Sequence, residues 1–344
     1  MFKNLFGGPG AAQLDFLAIG DIVTEPFIRL KDASVHCKIN REECEICMRW
    51  GDKIPYESAT MCAAVGNASN AAVAASRLGL NSALRAYVGD DGYGRECLDV
   101  LKKEKVNTDF MVTEAGKKTN YHYVLWYEDN RTILVKHEEF SYSTPKLSKS
   151  PKWIYLSSLA ANSAPYHQEI AQWLKEHPES KLAFQPGTFQ MKLGLDVLKD
   201  IYARTDIFFC NKEEAERILN LPAGTDNKEL LIKIKALGPK VVMMTDDVRG
   251  AFAIEEDGKT MWHVPRYPDP RPPYEITGAG DATASSVVAA LALGLPLREA
   301  LLWGPVNSSS VLQKIGAQAG LLTRAELERQ LKKPPAPFAL QSLV

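Results

Sequence analysis

Gly278, Ala279, Gly280 and Asp281 stand together in "EITGAGDATASSVVAALALG" (275–294), three small residues running into a carboxylate at the mouth of an apolar helix. A helix start exposes unpaired amide N–H groups and the positive end of the helix dipole. Glycine lets an anion come close to that backbone. Two readings follow. Either Asp281 caps the helix and the glycines form a turn, or the turn is an anion hole and Asp281 reacts beside it. In either case a carboxylate at this end of a helix is expected to stay ionised at neutral pH.

Other spacings carry chemistry of their own. Asn211 and Glu214, in "NKEEA" (211–215), sit at i, i+3 after an apolar strand. They form either a capping box or a pair of oxygen ligands for Mg2+, a metal that needs few protein ligands. "HCKINREECEIC" (36–47) places Cys37 before a Cys44-x-x-Cys47 pair, with His36 adjacent and Cys62 further on. Zn2+ would need a fourth ligand and there is no second C-x-x-C, so reduced thiols on a loop are the expectation and structural zinc stays open. Tyr121, His122 and Tyr123 alternate along one strand, so one face either touches a substrate or packs locally.

The elements that must position these groups show a regular pattern. "LDFLAIG" (14–20) reads as a buried first strand and 66–79 as an Ala-rich helix capped by Asn67 or Ser69. The segment 27–39 alternates like a half-exposed strand, residues 40–60 read as irregular, and 120–129 with 131–139 reads as a hairpin. From 151 onward apolar strands alternate with amphipathic helices, which argues a mostly parallel sheet covered on both faces. Helices are expected at 281–293, 297–312 and 323–332. In such sheets ligands bind beyond the carboxyl ends of the strands, so the loops 20–26, 89–92, 185–190, 210–214, 245–250 and 275–281 are the places to look.

The chain has 344 residues, a formal net charge of −1, 45% hydrophobic and 24% charged residues. It has no basic stripe for nucleic acid and no apolar run long enough for a membrane helix. The location expected by default is cytoplasmic. Residues 1–13 are expected to form a disordered leader, 14–333 one α/β domain and 334–344 a tail.

Taken together, the motifs resemble those of the PfkB/ribokinase family of carbohydrate and nucleoside kinases. "ITGAGD" is similar to the second family signature. "VGNASNAAVAASRLGL" (65–80) and "YVGDDGYGRECLDVLKKEKVNTDFM" (87–111) resemble the first signature and its sequel, and "NKEEA" is similar to the Asn-x-x-Glu motif. Four motifs fall in order over about 14–333. The resemblance implies a ribokinase-like three-layer sandwich with a small β-strand lid (about 27–62 and 113–140). It also implies an ATP-dependent kinase for a hydroxyl of a small sugar or nucleoside, and a homodimer through the lid.

It further implies roles. Asp281 is the general base, and the amides of Thr277–Gly280 hold the γ-phosphate. Asp21, Glu25, Gly66, Asn70, Tyr123 and Gln185 face the substrate. Asn211, Thr245, Gly250, Thr277 and Asn307 neighbour the nucleotide, with Asn307 near the adenine. Asn211 and Glu214 hold Mg2+ through water, and Glu275 with Thr277 lies where some relatives bind K+. Four positions depart from the family pattern: Val65 replaces a hinge glycine, Glu25 and Glu275 each replace Asp, and Asp247 replaces Gly with Arg249 nearby to offset its charge. These departures motivate a second reading, a catalytically silent nucleotide or sugar sensor. A dinucleotide-dependent oxidoreductase is set aside, because "GDIVTEP" and not G-x-G-x-x-G follows the first strand.

Overall fold

In the computed structural model, which describes residues 12–37, 44–128 and 130–343, nine strands form one sheet. Its order runs Gln341–Ser342, Met261–Val264, Ala251–Ile254, Val241–Thr245, Ile207–Asn211, Lys181–Phe184, Trp153–Leu156, Phe16–Ile19, Ser82–Arg85. Pairing is parallel from Val241–Thr245 to Ser82–Arg85 and antiparallel across the last three strands at the other edge.

Alternation along each strand builds the three layers. Phe16, Ala18, Trp153 and Tyr155 face one core, and Leu17, Ile19, Ile154 and Leu156 face the other. This is the two-residue period of a pleated strand buried on both faces. The first core is closed by the helices Asn67–Arg77, Ala279–Ala292, Leu297–Val311 and Arg324–Lys332. The second is closed by Ala164–Glu176, Leu195–Arg204 and Asn227–Lys235. The parallel α/β architecture and its covering helices match the sequence expectation; the helix Asn227–Lys235 is an addition to it.

A second sheet covers the carboxyl ends. Asn130–Leu134 pairs with Tyr123–Tyr127, which lies parallel to Val23–Leu30, which in turn pairs antiparallel with Tyr56–Val65. Asn120–Tyr121 adds to Val23 and Thr24. Tyr56–Val65 corrects the reading of 40–60 as irregular. Residues 56–60 and 61–63 are exposed or half-buried on both faces, so no apolar alternation marks the strand.

Cys37 and Cys44 are joined in a disulfide, which overturns reduced thiols at those positions and removes two of the three thiolates offered to zinc. Among the described residues no group of three or more His, Cys, Asp or Glu side chains is arranged around a metal site. Residues 1–11 of the expected leader lie outside the described residues. The expected tail carries an edge strand, Gln341–Ser342. Among the described residues no helix is long and apolar enough to cross a membrane.

Candidate active site

The helix carrying Asp281 begins at Ala279, with Gly278 as its N-cap residue at φ 84°, ψ −2°. Asp281 is therefore the third helical residue and not the cap. Gly278 is forced twice over. Its φ lies in the left-handed region, and a Cβ there would fall 2.4 Å from the Ala317 Cβ. Gly280 differs. A Cβ there would meet nothing nearer than Gln185 Nε2 at 3.9 Å, so its lack of a side chain leaves room above the helix start.

Three side-chain amides converge on the Asp281 carboxylate. Asn67 Nδ2 donates to Oδ1 at 2.8 Å, Gln185 Nε2 to Oδ1 at 3.2 Å, and Asn70 Nδ2 to Oδ2 at 2.7 Å. Asn67 belongs to this site and not to a cap. The N-cap of its helix is Gly66, with no side-chain cap bond, and Ser69 Oγ turns back to the Ala64 carbonyl. Gln185 is aimed in turn by Tyr155, whose hydroxyl donates to Gln185 Oε1. Asn70 is aimed by Gln318, which donates to its Oδ1 at 3.0 Å. Burial raises the Asp281 pKa above the ordinary carboxylate value, against the lowering effect of the Asn70, Asn67 and Gln185 bonds. Desolvation thus works against the helix dipole and the three amides at this carboxylate.

Asp281 opens onto a cavity of about 340 Å3 lined also by Glu25, Gly66, Asn70, Asn211, Glu214 and Gly278. Asn211 and Glu214 form the capping box: Glu214 N–H donates to Asn211 Oδ1 at 2.7 Å, and Asn211 N–H to Glu214 Oε2 at 2.9 Å. Both still face the cavity, and burial raises the Glu214 pKa. A carboxylate so desolvated gains from a counter-ion arriving with phosphates, so the pair fits the Mg2+ role.

A second cavity, about 360 Å3, adjoins the first and shares Thr245, Ile276, Gly280 and Thr283 with it. Gly250, Tyr267, Pro305 and Ser309 line it further. Asn307 does not. It is fully buried, its amide donates to Ser286 Oγ at 2.8 Å, and its Oδ1 accepts from Leu322 N–H at 2.8 Å. Its helix turns Pro305, Ser308 and Ser309 to the cavity instead. Arg249 does not offset Asp247 by a direct bond, since its guanidinium is held bidentate by Asp246 at 2.6 Å on each oxygen.

Of the residues expected to face a substrate, Glu25 is buried and meets His122 Nδ1 at 3.1 Å. Asp21 is buried with both oxygens engaged, by His137 Nδ1 at 2.6 Å and the Tyr142 hydroxyl at 2.7 Å. Tyr123 is turned away. It is 46% exposed and lines a separate outer cavity with Tyr93 and Tyr121. The alternation noted in the sequence is real, but His122 takes the inner face. Glu275 is engaged by the backbone. Its Oε1 accepts from Thr277 N–H at 2.7 Å and its Oε2 from Gly316 N–H at 3.4 Å. The Thr277 amide is thereby spent on Glu275, which leaves the amides of residues 278–280 of those expected to hold a phosphate. Thr277 Oγ1 is buried without a partner.

The chain is similar to known proteins in both sequence and fold. Residues 36–324 match the family model described as pfkB family carbohydrate kinase. A 5-dehydro-2-deoxygluconokinase of Bacillus thuringiensis is 26% identical over 284 residues, covering 76% of this chain and 83% of that protein. An uncharacterized sugar kinase of Archaeoglobus fulgidus is 25% identical over 251 residues, covering 72% and 97%. Among solved structures, Arabidopsis thaliana ribokinase complexed with ribose and ATP superposes with a TM-score of 0.76 at 17% identity, covering 93% of this chain and 99% of that one. A nucleoside kinase of Methanocaldococcus jannaschii gives 0.73 at 19% identity, covering 94% and 100%.

Proposed function

Because the chain belongs to the pfkB family of carbohydrate kinases, we propose that it transfers the γ-phosphoryl group of ATP to a hydroxyl of a small sugar, with Asp281 as general base. The observation that carries this reading is the placement of Asp281, held by three amides at the floor of a cavity and one residue beyond the open Gly280.

A carboxylate offers about four lone-pair positions. Asn67 and Gln185 occupy two on Oδ1 and Asn70 one on Oδ2. Oδ2 therefore keeps a lone pair for the proton of the substrate hydroxyl. As that proton moves to Oδ2, the hydroxyl oxygen bonds to the γ-phosphorus, the bond from phosphorus to the β–γ bridging oxygen breaks, and ADP leaves. Protein catalysis of this transfer is chiefly positioning and charge stabilisation. The Gly278–Gly280 amides supply donors at a helix start. Asn211 and Glu214 would hold Mg2+, which when bound supplies positive charge to the phosphates. The sugar fits the first cavity, and the adenosine of ATP fits the second, between Tyr267, Pro305 and Gly250.

The test is ADP release across sugars, sugar acids and nucleosides, with Asp281→Asn as control. The expected outcome is turnover by the wild type on at least one sugar and a loss of about 10²–10⁴-fold in the variant with ATP binding retained. Near-normal turnover by Asp281→Asn would sink the assignment. Ligand binding with no ADP released from any compound would leave the silent sensor.

A further inference from the structure

Three carboxylates, Glu25, Glu214 and Asp281, line the cavity into which a triphosphate would bring more negative charge. Among the described residues that line it, Arg131 is the one basic side chain. Arg131 comes from the lid, on the strand Asn130–Leu134, opposite Trp126. Its Nε is buried and has no hydrogen-bond partner. The anion it faces, Glu275 Oε1, is 3.8 Å away, an ion pair but not a hydrogen bond. Glu275 meanwhile accepts from the Thr277 and Gly316 amides. The guanidinium is thus brought to the cleft with its buried Nε donor unused.

We infer that Arg131 is the anion ligand of the cleft: it takes two non-bridging oxygens of the transferring phosphoryl group from the lid side while the Gly278–Gly280 amides take it from the helix side. This rests on the kinase reading above. A guanidinium presents its donors as a planar fork that matches paired anionic oxygens. Such oxygens have two sources here, the phosphoryl group or an acid group carried by the sugar, and the experiment separates them.

Full-length wild type, Arg131→Gln and Arg131→Lys are compared in two assays. In the first, inorganic tripolyphosphate is titrated while melting is followed. The wild type is stabilised, Arg131→Gln loses that response, and Arg131→Lys keeps part of it. In the second, steady-state rates are measured with a neutral sugar and with a sugar acid. A phosphoryl contact lowers kcat by about 100-fold or more with either sugar and leaves the sugar KM nearly unchanged. A contact to the sugar's own acid group raises KM for the acid alone, and moves the anion from the phosphoryl group to the substrate. An unchanged tripolyphosphate response with kcat and KM preserved in both variants overturns the proposal and leaves Arg131 as a pin between lid and Glu275. If Arg131→Gln does not fold, the charge-conserving Lys variant carries the comparison, and full wild-type behaviour with its single point charge overturns the fork contact. Should the wild type phosphorylate no sugar while tripolyphosphate still distinguishes it from Arg131→Gln, the kinase reading fails and the anion site stands.

Discussion

Asn67 and Asp281 are 214 positions apart in the chain, and the amide of one donates to the carboxylate of the other at 2.8 Å. Two helix starts, Asn67–Arg77 and Ala279–Ala292, are thereby joined at the point where the chemistry is proposed. Asn70, one turn along the first helix, grips the other oxygen. Both bonds favour the ionised form, against a burial that disfavours it.

That balance sets a pH dependence. Removing a donor with Asn67→Ala or Asn70→Ala takes away a lowering contribution, so the Asp281 pKa rises further. The acidic limb of the kcat/KM profile, where the base becomes protonated, is expected to move to higher pH in both variants. Profiles that overlay the wild type would show that Asp281 is not the group being titrated.

The same shift is a statement about stability. A carboxyl whose folded pKa is raised above its unfolded value weakens the fold as it ionises, from the unfolded pKa upward, and costs nothing once both states are protonated. Asp281→Asn escapes that cost but sets its NH2 group against one of the amide donors on Oδ1 or Oδ2. The expected signature is therefore in the pH dependence: the stability difference between variant and wild type shifts in the variant's favour as the pH rises from the ordinary carboxylate range to 7. A difference that is flat with pH would contradict a raised Asp281 pKa.

Gly278 and Gly280 separate folding from function. Gly278→Ala meets left-handed strain of about 1–2 kcal/mol and an overpacked contact with Ala317 of about 1–3 kcal/mol. It should lose roughly 2–5 kcal/mol by denaturant titration. Gly280→Ala has room for its methyl group and should change stability by less than about 1 kcal/mol. Its cost is expected in kcat, because the methyl group stands where the cavity is open. Equal unfolding midpoints for the two variants would refute this division.

On the lid, Tyr123→Ala should leave kcat/KM within about twofold of the wild type, as for an exposed position away from the cleft. His122→Ala leaves the Glu25 carboxylate buried without its partner, at a cost of about 1–3 kcal/mol. That variant should show both a lower melting temperature and a weaker sugar KM. If Tyr123→Ala were the more damaging of the two, the outer face of the lid would have to be the working one.

The legible parts of this chain are those in which one physical cause acts alone. The strands from Trp153 to Thr245 are apolar because both faces are covered, and their alternation with helices reads directly. The turn before Asp281 is legible as a turn but not in its cause: Gly278 is demanded by its left-handed φ and by Ala317, and Gly280 by neither. Tyr56–Val65 is hidden because a lid strand wet on both faces carries no apolar period. Asn67 resembles a helix cap in sequence, and only the folded chain brings Asp281 to it. Asn307 shows the converse: an amide expected beside a nucleotide is turned inward by its helix and spent on Ser286 and Leu322. The Cys37–Cys44 bond depends on a hairpin pairing, Ser34–His36 with Glu45–Cys47, that composition alone does not announce.

The short segment around Ala317 has no reactive group, yet it touches both halves of the site. Ala317 abuts the would-be side chain of Gly278, and Gln318 ties Asn70 to the Ala64 carbonyl. The height of the Gly278 turn and the aim of the proposed base are thus referred to one common datum. A larger residue at position 317 would tilt the two out of alignment together, and would be felt as a loss of rate from a place where nothing reacts.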